Sequence, residues 1–192
     1  SFVRPRSATI VEEGGSFINN YVLLEPVKDI QAAPITYLKG QNSRATLTSL
    51  LQGVGTSSID MGGTVVLEGK GSQGDIISRA IAKDSSTIYA RGIIQGQHAE
   101  SRAHLECNGL LLSPHAKIHA IPELIATTEG ADLSHEAAVG KIAEEEIIYL
   151  MSRGMTKEEA EAMIIRGFLD VNMLSLPDAF RERVKELINQ LN

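Results

Sequence analysis

The sequence predicts a mainly β fold, a β-solenoid, followed by a small α-helical domain. First, short β-compatible segments that stop at Gly, Asn or Pro follow one another without a helix-length amphipathic segment between them. Second, the segments ARGII (90–94) and CNGLL (107–111) superpose, and the offset between Ala90 and Cys107 suits one coil of a solenoid. Third, apolar residues after Gly140 recur three and four residues apart. A β-sandwich remains the structural alternative to the solenoid.

Composition limits the classes of function open to the chain. Its 192 residues are 43% hydrophobic, enough to bury a core as one domain or as a domain with an appendage. A net charge of -6 argues against nucleic-acid binding, which needs a basic face. One cysteine excludes an internal disulfide, and the sequence lacks a signal peptide and a membrane-length apolar run, so we expect a soluble, cytoplasmic protein without a membrane partner. The start SFVRPRS, without Met, indicates a fragment or a processed product.

Ten segments are expected to form strands, and we place them in a β-helix core of residues 1–138. Each is rich in β-branched or aliphatic residues and is bounded by turn residues. In chain order they are SATIVEE, SFINNYVLLE, ITYLKG, RATLTSLLQG, GTVVLEG, GDIISRAIA, STIYARGIIQG, RAHLECNGLLLS, AKIHAIPELIATT and ADLSHEA. Because aromatic residues are only 4% and tryptophan is missing, we expect Ile, Leu, Val and Ala to fill the core.

A glycine motif within TVVLEGKGSQGDII offers a different function. Gly69, Gly71 and Gly74 have the G-x-G-x-x-G spacing of a dinucleotide-binding turn and follow a strand-like run. The helix required after Gly74 would have to be residues 75–83, which is short for a crossover, and no acidic residue ends the next strand to hold a ribose. Turns between strands are the more ordinary use of these glycines. A dinucleotide-binding enzyme is the alternative.

Three amphipathic helices are predicted in a C-terminal helical domain of residues 139–192. The first ends at Gly154, the second begins with a capping box of Thr156 and Glu159 and ends near Gly167, and the third begins at Pro177. Their apolar faces are Val139, Ile142, Ala143, Ile147, Leu150 and Met151, then Ala160, Met163, Ile164 and Phe168, then Phe180, Val184, Leu187, Ile188 and Leu191. Such helices either pack on the last coil or present an apolar face to a partner.

Chemically reactive side chains are concentrated between residues 104 and 140. They include Cys107, His115, His119, His135 and Glu136. Thiolate, imidazole and carboxylate are ligands suited to iron–sulfur or zinc chemistry. Cys107 and His135 are widely separated in the chain, however, so spacing alone leaves a buried structural cysteine and ordinary histidines as the alternative. We treat His115 and His119, which we place in a corner between strands, as surface residues.

One long part of the chain resembles a known family. The segments ECNGLLLSPHAKIHAIPELIA, ADLSHEAAVGKIAEEEIIYLMSRGMTKEEAEAMIIRGF and LPDAF closely resemble the C-terminal core of the SufB/SufD family of iron–sulfur cluster assembly proteins. The family's HEA followed by an I-x-E-E-x-x-x-Y-L-x-x-R-G helix is long and specific. The resemblance runs from about Arg44 to the C-terminus, and the part of the chain before it fits loosely. It implies a right-handed parallel β-helix followed by a small helical domain, in a protein that is itself neither an ATPase nor a transporter.

The resemblance also implies a site. Cys107 falls at the cysteine of the SufB-type Q-C-x-S-L-L motif, which is proposed to receive sulfur or hold the nascent cluster. His135 and Glu136 match the histidine and second glutamate of the SufB-type E-H-E motif, and Ser134 replaces its first glutamate. SufD-type proteins instead have S-H-G at this place and N-L-L-L-S without the cysteine. With features of both types, the chain resembles an undivided SufB/SufD-type protein that works as a homodimer.

The function implied by this resemblance is a scaffold, not an enzyme, that receives sulfur and iron and holds a cluster transiently. Cys107, His135 and Glu136 are the implied ligands, and the chain itself binds no nucleotide. The implied partners are a SufC-type ABC ATPase, a sulfur donor, and a second copy of the chain or a SufB/SufD paralogue. Met163 and Ile164, with Phe168, are expected to bind the ATPase. A dinucleotide-binding enzyme and a structural β-solenoid without a site remain the alternatives.

Overall fold

The computed structural model describes residues 2–170 and 178–189, and in these ranges twelve strands are followed by three helices. The strands are β1 (Phe2–Val3), β2 (Ala8–Val11), β3 (Ser16–Leu23), β4 (Asp29–Ala32), β5 (Ile35–Leu38), β6 (Arg44–Gly53), β7 (Ser58–Leu67), β8 (Gln73–Ala82), β9 (Thr87–Gly96), β10 (Arg102–Leu111), β11 (Lys117–Ala126) and β12 (Asp132–Lys141). The helices are α1 (Glu144–Ser152), α2 (Lys157–Leu169) and α3 (Asp178–Asn189). The predicted order of strands and then helices is confirmed.

From β5 onward the strands alternate between two sheets, and the strands together form a parallel β-solenoid of about five coils. One sheet, called sheet B below, has the order β12-β10-β8-β6-β3. In the other, sheet A, β7 pairs with β4 and β5 on one side and with β9 on the other, and β11 follows β9. Every pairing between the described strands is parallel. The solenoid is therefore confirmed over the β-sandwich, whose sheets are antiparallel.

One coil is much longer than the offset between ARGII and CNGLL, so the predicted stacking of these two segments is wrong. The residues that lie side by side in sheet B, one coil apart, are Arg44, Gln73, Arg102 and Asp132. Ala90, in ARGII, lies in sheet A, whereas Cys107, in CNGLL, lies in sheet B. Each coil contributes two long strands, so segments about half a coil apart fall on opposite sheets. The two segments share a residue pattern without being stacked.

Alternate residues of the long strands point into the space between the sheets and form an aliphatic core. Buried members of one core cluster are Leu38, Leu47, Val65, Leu67, Ile76, Ile94 and Leu105. A second cluster contains Ile30, Leu51, Ile59 and Ile88. The core is thus filled by Ile, Leu, Val and Ala, as the composition predicts, and the sheets are held together by apolar burial along the whole solenoid.

Serine side chains close the corners at which the strand ladder is interrupted. The Ser43, Ser86 and Ser101 hydroxyls each donate to the backbone oxygen three residues earlier, at 2.6 to 2.7 Å. All three serines are buried. A carbonyl at each of these three corners is therefore satisfied without water. Ser72, the equivalent serine in the coil between Ser43 and Ser101, is also buried, but its hydroxyl has no hydrogen-bond partner among the described residues.

Gly69, Gly71 and Gly74 serve this stacking, and the dinucleotide-binding alternative is wrong. Gly71 has a φ of 66°, which favours glycine, and a Cβ on Gly69 would lie 2.1 Å from the backbone oxygen of Gly40 in the preceding coil. Residues 75–83, which would have to form the helix of a dinucleotide-binding turn, lie almost entirely in strand β8. Because a strand follows the motif, no helix N-terminus is available to hold a pyrophosphate.

The first helix begins later than its apolar spacing predicts. Strand β12 remains paired with β10 as far as Lys141, so Val139 belongs to the strand, and α1 begins at Glu144. Strand pairing decides this boundary because it satisfies the backbone groups of these residues in the last coil. The helix ends as predicted, before Gly154 with a φ of 97°. The division of the chain at residue 138 stays a prediction.

Helix α2 begins as predicted and ends later. The Thr156 hydroxyl accepts from the backbone N–H of Glu159, and the Glu159 carboxylate accepts from the backbone N–H of Thr156, which is the predicted capping box. The helix ends at Leu169, two residues after Gly167, the glycine near which its end is predicted. Gly167 has open space around its Cα and a helical φ, so nothing forces the chain to turn there.

Helix α2 packs on the outer face of sheet B. Its Ile165 and Leu169 join a cluster of outward-facing strand and corner residues. These are Leu24, Leu50, Ile81 and Leu110. The buried face of α2 is Ala160, Ile165 and Leu169, not the predicted Ala160, Met163, Ile164 and Phe168. The docking of the helix end on the sheet decides which face is buried, and helical periodicity alone cannot show it.

Helix α3 adds three half-buried residues to the same cluster. They are Val184, Leu187 and Ile188. Phe180, also predicted for this face, is 64% exposed, and Pro177 and Leu191 of the same prediction lie outside the described residues. None of the helices in the described part of the chain combines the length and the apolar character that a membrane span needs.

Candidate functional site

Cys107 lies in the middle of β10 and points into the solenoid. Its neighbours in the register are Ser78 on β8 and Ala137 on β12. Only 1% of the residue is exposed, and it belongs to the core cluster that contains Leu105. In this conformation, therefore, the thiol is enclosed by the core.

Burial, and after it the neighbouring Glu106 carboxylate, raises the pKa of the Cys107 thiol from 9.0 to about 11. The thiol is then protonated at neutral pH, whereas the thiolate is the form that attacks sulfur and binds iron. The buried Ser78 hydroxyl in the adjacent strand has no hydrogen-bond partner among the described residues. Sulfur or iron chemistry at Cys107 thus requires that the strands around it open or that another molecule changes its surroundings.

His135 lies on β12, beside Leu105 of β10 in the register. Because side chains alternate along a strand, His135 and Cys107 belong to the same face of sheet B. A strand spacing of about 4.8 Å and a rise of about 3.3 Å per residue put their Cα atoms roughly 8 Å apart. The fold thus brings together two predicted ligands that are nearly a full coil apart in the chain.

Glu136 belongs to the opposite face of the sheet from His135. It aligns with Glu106 of β10 on the outside of the solenoid. Both His135 and Glu136 are exposed. Glu136 belongs to the outer face, and His135 lies on a strand that pairs with β10 on one side and with no described strand on the other. Within residues 2–170 and 178–189, no group of three His, Cys, Asp or Glu side chains is placed to hold a metal ion. The described part of one chain, in this conformation, therefore does not supply a complete metal site.

A polar network on the outer face of sheet B flanks the cysteine strand and was missed in the sequence analysis. The Arg79 guanidinium of β8 forms an ion pair with Glu106 of β10, and the Asn108 amide donates to the same carboxylate oxygen at 2.6 Å. The ring centroid of Phe168 on α2 lies 5.6 Å from the guanidinium carbon of Arg79. Arg79 and Asn108 are one coil apart, so the network becomes visible only once the length of a coil is known.

A second polar row crosses the last three strands of sheet B. Asp75, His104 and Ser134 align on β8, β10 and β12, and His104 Nδ1 lies 2.9 Å from Ser134 Oγ. Burial raises the pKa of the Asp75 carboxyl, and His104 partly offsets this. Ser134, which replaces the first glutamate of the E-H-E motif, thus connects β12 to β10 instead of placing a carboxylate beside His135.

His115 and His119 lie apart from Cys107, and both are exposed, as predicted for surface residues. His115 is in the corner after β10. The prediction that His119 also lies in this corner is wrong. His119 lies within β11, where its ring stacks on that of Tyr89 with the centroids 4.9 Å apart. Strand β11 begins at Lys117, because its pairing with β9 starts there.

The predicted partner-binding residues occupy different faces of α2. Met163 is 43% exposed, Ile164 lines a groove between α1 and α2 together with Tyr149, and Phe168 is half-buried beside Arg79. Helix α1 adds further exposed apolar side chains. With Met163 they form what we call the α1–α2 surface, namely Ile148, Tyr149, Met151 and Met163.

Comparison with known proteins places this architecture in a family. A family model described as "SUF system FeS cluster assembly, SufBD core domain" matches residues 9–168. The match begins well before Arg44, so it reaches further towards the N-terminus than the resemblance seen in the motifs.

Curated relatives come from archaea and bacteria. An "Iron-sulfur cluster assembly SufBD family protein" of Methanothermobacter thermautotrophicus (strain Delta H) is 49% identical over 187 residues, which cover 97% of this chain and 46% of that protein. One from Archaeoglobus fulgidus is 48% identical over 186 residues, 97% of this chain and 50% of that protein. "Iron-sulfur cluster assembly protein SufB" of Bacillus subtilis is 34% identical over 158 residues, 81% of this chain and 34% of that protein.

The chain spans about half the length of the archaeal relatives and about a third of the Bacillus protein. The family model nevertheless covers most of the chain, from the first coils of the solenoid to helix α2. The chain therefore belongs to the SufBD family of iron–sulfur cluster assembly proteins.

Proposed function

We propose that this chain is the core of a scaffold subunit on which an iron–sulfur cluster is built and then passed on, with Cys107 as the residue that receives sulfur. Family membership supports a role in iron–sulfur cluster assembly. The observation that carries the proposal for the site is the pairing of β10 with β12, which brings the strand of the single cysteine next to the strand of His135.

Sulfur transfer to Cys107 requires its thiolate. The thiolate attacks the outer sulfur of a persulfide on a donor protein, the donor's sulfur–sulfur bond breaks, and the donor thiolate leaves with the bonding electrons. Cys107 then carries a persulfide. Because burial raises the pKa of the Cys107 thiol to about 11, the closed conformation protects the residue, and an opening at the β12 end of the solenoid admits the donor.

The cluster is the cargo of this scaffold and is shared between two chains. Iron–sulfur clusters usually have four protein ligands, whereas one chain offers Cys107 and His135 on one face and Glu136 on the other. A second copy of the chain, or a SufB/SufD paralogue, supplies the remaining ligands. An incomplete ligand set also makes the cluster easy to release.

The scaffold works with a SufC-type ABC ATPase, and the chain itself binds no nucleotide and catalyses no reaction of its own. The α1–α2 surface supports this assignment, because it exposes apolar side chains on helices rather than on the solenoid. Of the residues expected to bind the ATPase, Met163 is exposed, Ile164 lines the groove between α1 and α2, and Phe168 lies on another face of α2 beside Arg79. We place the assembly in the cytoplasm, as the composition predicts.

Anaerobic reconstitution of the chain with iron and sulfide, followed by visible absorption, tests the proposal. We expect cluster absorption in the wild type, none in Cys107→Ser, and less in His135→Ala and Glu136→Ala. His115→Ala is the matched control, because it removes an exposed histidine away from Cys107 and should leave reconstitution unchanged. Circular dichroism confirms that each variant is folded.

Unchanged reconstitution in Cys107→Ser would remove the site hypothesis. A wild-type chain that forms no cluster alone or with a second family member would leave the structural β-solenoid as the better description.

A further inference from the structure

We propose that Arg79 is a positioning residue through which helix α2 holds the cysteine-bearing strand β10 in place. The Arg79 side chain rises from β8 on the outer face of sheet B, where α2 packs. On one side its guanidinium pairs with the Glu106 carboxylate of β10, and on the other side it lies against the Phe168 ring of α2. One side chain thus connects the helical domain with the residue directly before Cys107.

Burial distinguishes this ion pair from the others formed by the described residues. The Arg79 and Glu106 side chains are 23% and 17% exposed, whereas every other described pair has at least one partner that is 43% exposed or more. A pair shielded from water is screened less and holds its geometry better than an exposed pair. The position of Glu106 therefore depends on where Arg79 is held.

Phe168 holds the Arg79 guanidinium in the position in which it pairs with the Glu106 carboxylate. The ring covers the guanidinium at cation–π distance, and the Arg79 Nε is buried without a hydrogen-bond partner among the described residues. Without the ring, the guanidinium gains a route to water, which satisfies Nε but weakens its contact with Glu106. Asn108, whose amide donates to the same carboxylate oxygen, then loses a fixed acceptor.

Two faces of α2 have different roles in this arrangement: one is exposed and the other contacts Arg79. Met163 points outward on the α1–α2 surface, and Phe168, five residues later, points to Arg79. A partner that shifts α2 would loosen or tighten the Arg79–Glu106 contact and with it the backbone of β10 at Cys107. This consequence for cluster assembly rests on the proposed function, whereas the contact itself is testable without iron, sulfide or ATPase.

Hydrogen exchange of backbone amides tests the contact. Phe168→Leu keeps an apolar side chain but removes the ring, and we expect exchange of the β10 amides around Glu106 to become about tenfold faster while β7 amides keep their wild-type rates. Phe168→Tyr retains the ring and should behave as the wild type. Because Cys107 is the only cysteine, its labelling by a neutral thiol reagent should also be faster in Phe168→Leu.

A double-mutant cycle then shows whether Arg79 carries the effect. Arg79→Gln is combined with Glu106→Gln so that no buried charge is left unpaired and the fold survives. In that background, Phe168→Leu should no longer accelerate exchange in β10. Arg91→Gln is the matched control and should not change exchange in β10. Arg91 also pairs with a carboxylate, that of Asp60, and also lies over an aromatic ring, but it belongs to sheet A.

Two results would overturn the inference. One is a Phe168→Leu variant in which β10 exchanges at the wild-type rate. The other is equal acceleration with and without the Arg79–Glu106 pair, which would mean that α2 acts on β10 by another route. Failure of cluster reconstitution affects neither measurement, so the two proposals fail separately.

Discussion

At the scale of single residues, burial and chemistry oppose each other at Cys107. The thiol is packed like a core residue, yet the proposed function needs it as a thiolate. The conflict appears as a raised pKa of the Cys107 thiol. Because the thiol is harder to ionise in the folded than in the unfolded state, the stability of the protein depends on pH.

This linkage predicts how stability changes in alkali. Below the unfolded pKa of 9.0 both states keep the proton, and the contribution of Cys107 to stability is fully present. Between pH 9.0 and about 11 only the unfolded state ionises, so stability is lost as the pH rises. Urea unfolding at increasing pH should show that the wild type loses about 2 kcal/mol more than Cys107→Ser over this window. Equal pH dependence in the two proteins would show that the thiol is exposed in solution.

Glycines give a second prediction at the residue scale. In Gly69→Ala the new Cβ collides with the backbone of Gly40, which cannot move without disturbing the preceding coil. The free energy of unfolding should therefore fall by about 1–3 kcal/mol. Gly167→Ala is the control: it lies in α2 with open space around it, and alanine should stabilise the helix by about 0.5–1 kcal/mol. Urea midpoints measure both. A tolerated Gly69→Ala would contradict the packing of this corner.

At the scale of elements, the helices and sheet B depend on each other. Ile165 and Leu169 cover outward apolar residues of the solenoid, and Phe168 covers Arg79. The helices are therefore part of the fold as well as a candidate docking surface. We do not expect α1 and α2 to remain folded without the sheet, because short helices are only marginally stable on their own.

Removal of residues 142–192 tests this dependence. The cut leaves β12 complete but exposes Leu50, Ile81 and Leu110 on the outside of sheet B, so we expect aggregation, seen by light scattering, together with loss of ATPase binding. The milder Thr156→Ala removes the cap of α2 and should cost about 1 kcal/mol without aggregation. A soluble truncation that still co-purifies with the ATPase would refute the docking role of the helices.

At the scale of the whole molecule, the solenoid ends in an open edge. Strand β12 pairs with one described strand only, and Val139 on it is 40% exposed. An uncovered strand edge with apolar side chains favours association with another chain. In a two-fold dimer, the same patch meets itself and each ligand is supplied twice.

We therefore expect a homodimer whose interface includes β12, beside Cys107 and His135. Light scattering at micromolar concentration should give twice the chain mass of 20.7 kDa. Val139→Lys places a charge on the open edge and should weaken the dimer at least about tenfold, whereas Ile148→Lys on the α1–α2 surface should not. A wild-type monomer, or a dimer weakened by Ile148→Lys alone, would contradict this interface.

Local signals in the sequence were sufficient for the order of strands followed by helices, and they named the candidate site residues, whose role stays a prediction. Short strands that stop at turn residues, the capping box at Thr156 and the stop at Gly154 depend on neighbours within a few residues. The single cysteine and the HEA motif depend on the sequence itself, and they led to the family.

Only the tertiary structure decided which residues meet. The length of a coil places Cys107 beside Ser78 and Ala137, puts His135 and Glu136 on opposite faces, and joins Arg79 to Glu106. The docking of α2 decides that Ile165 is buried and Met163 is exposed. These relations depend on strand register and on packing between residues a full coil apart, and the local pattern of the chain is the same whichever register is formed.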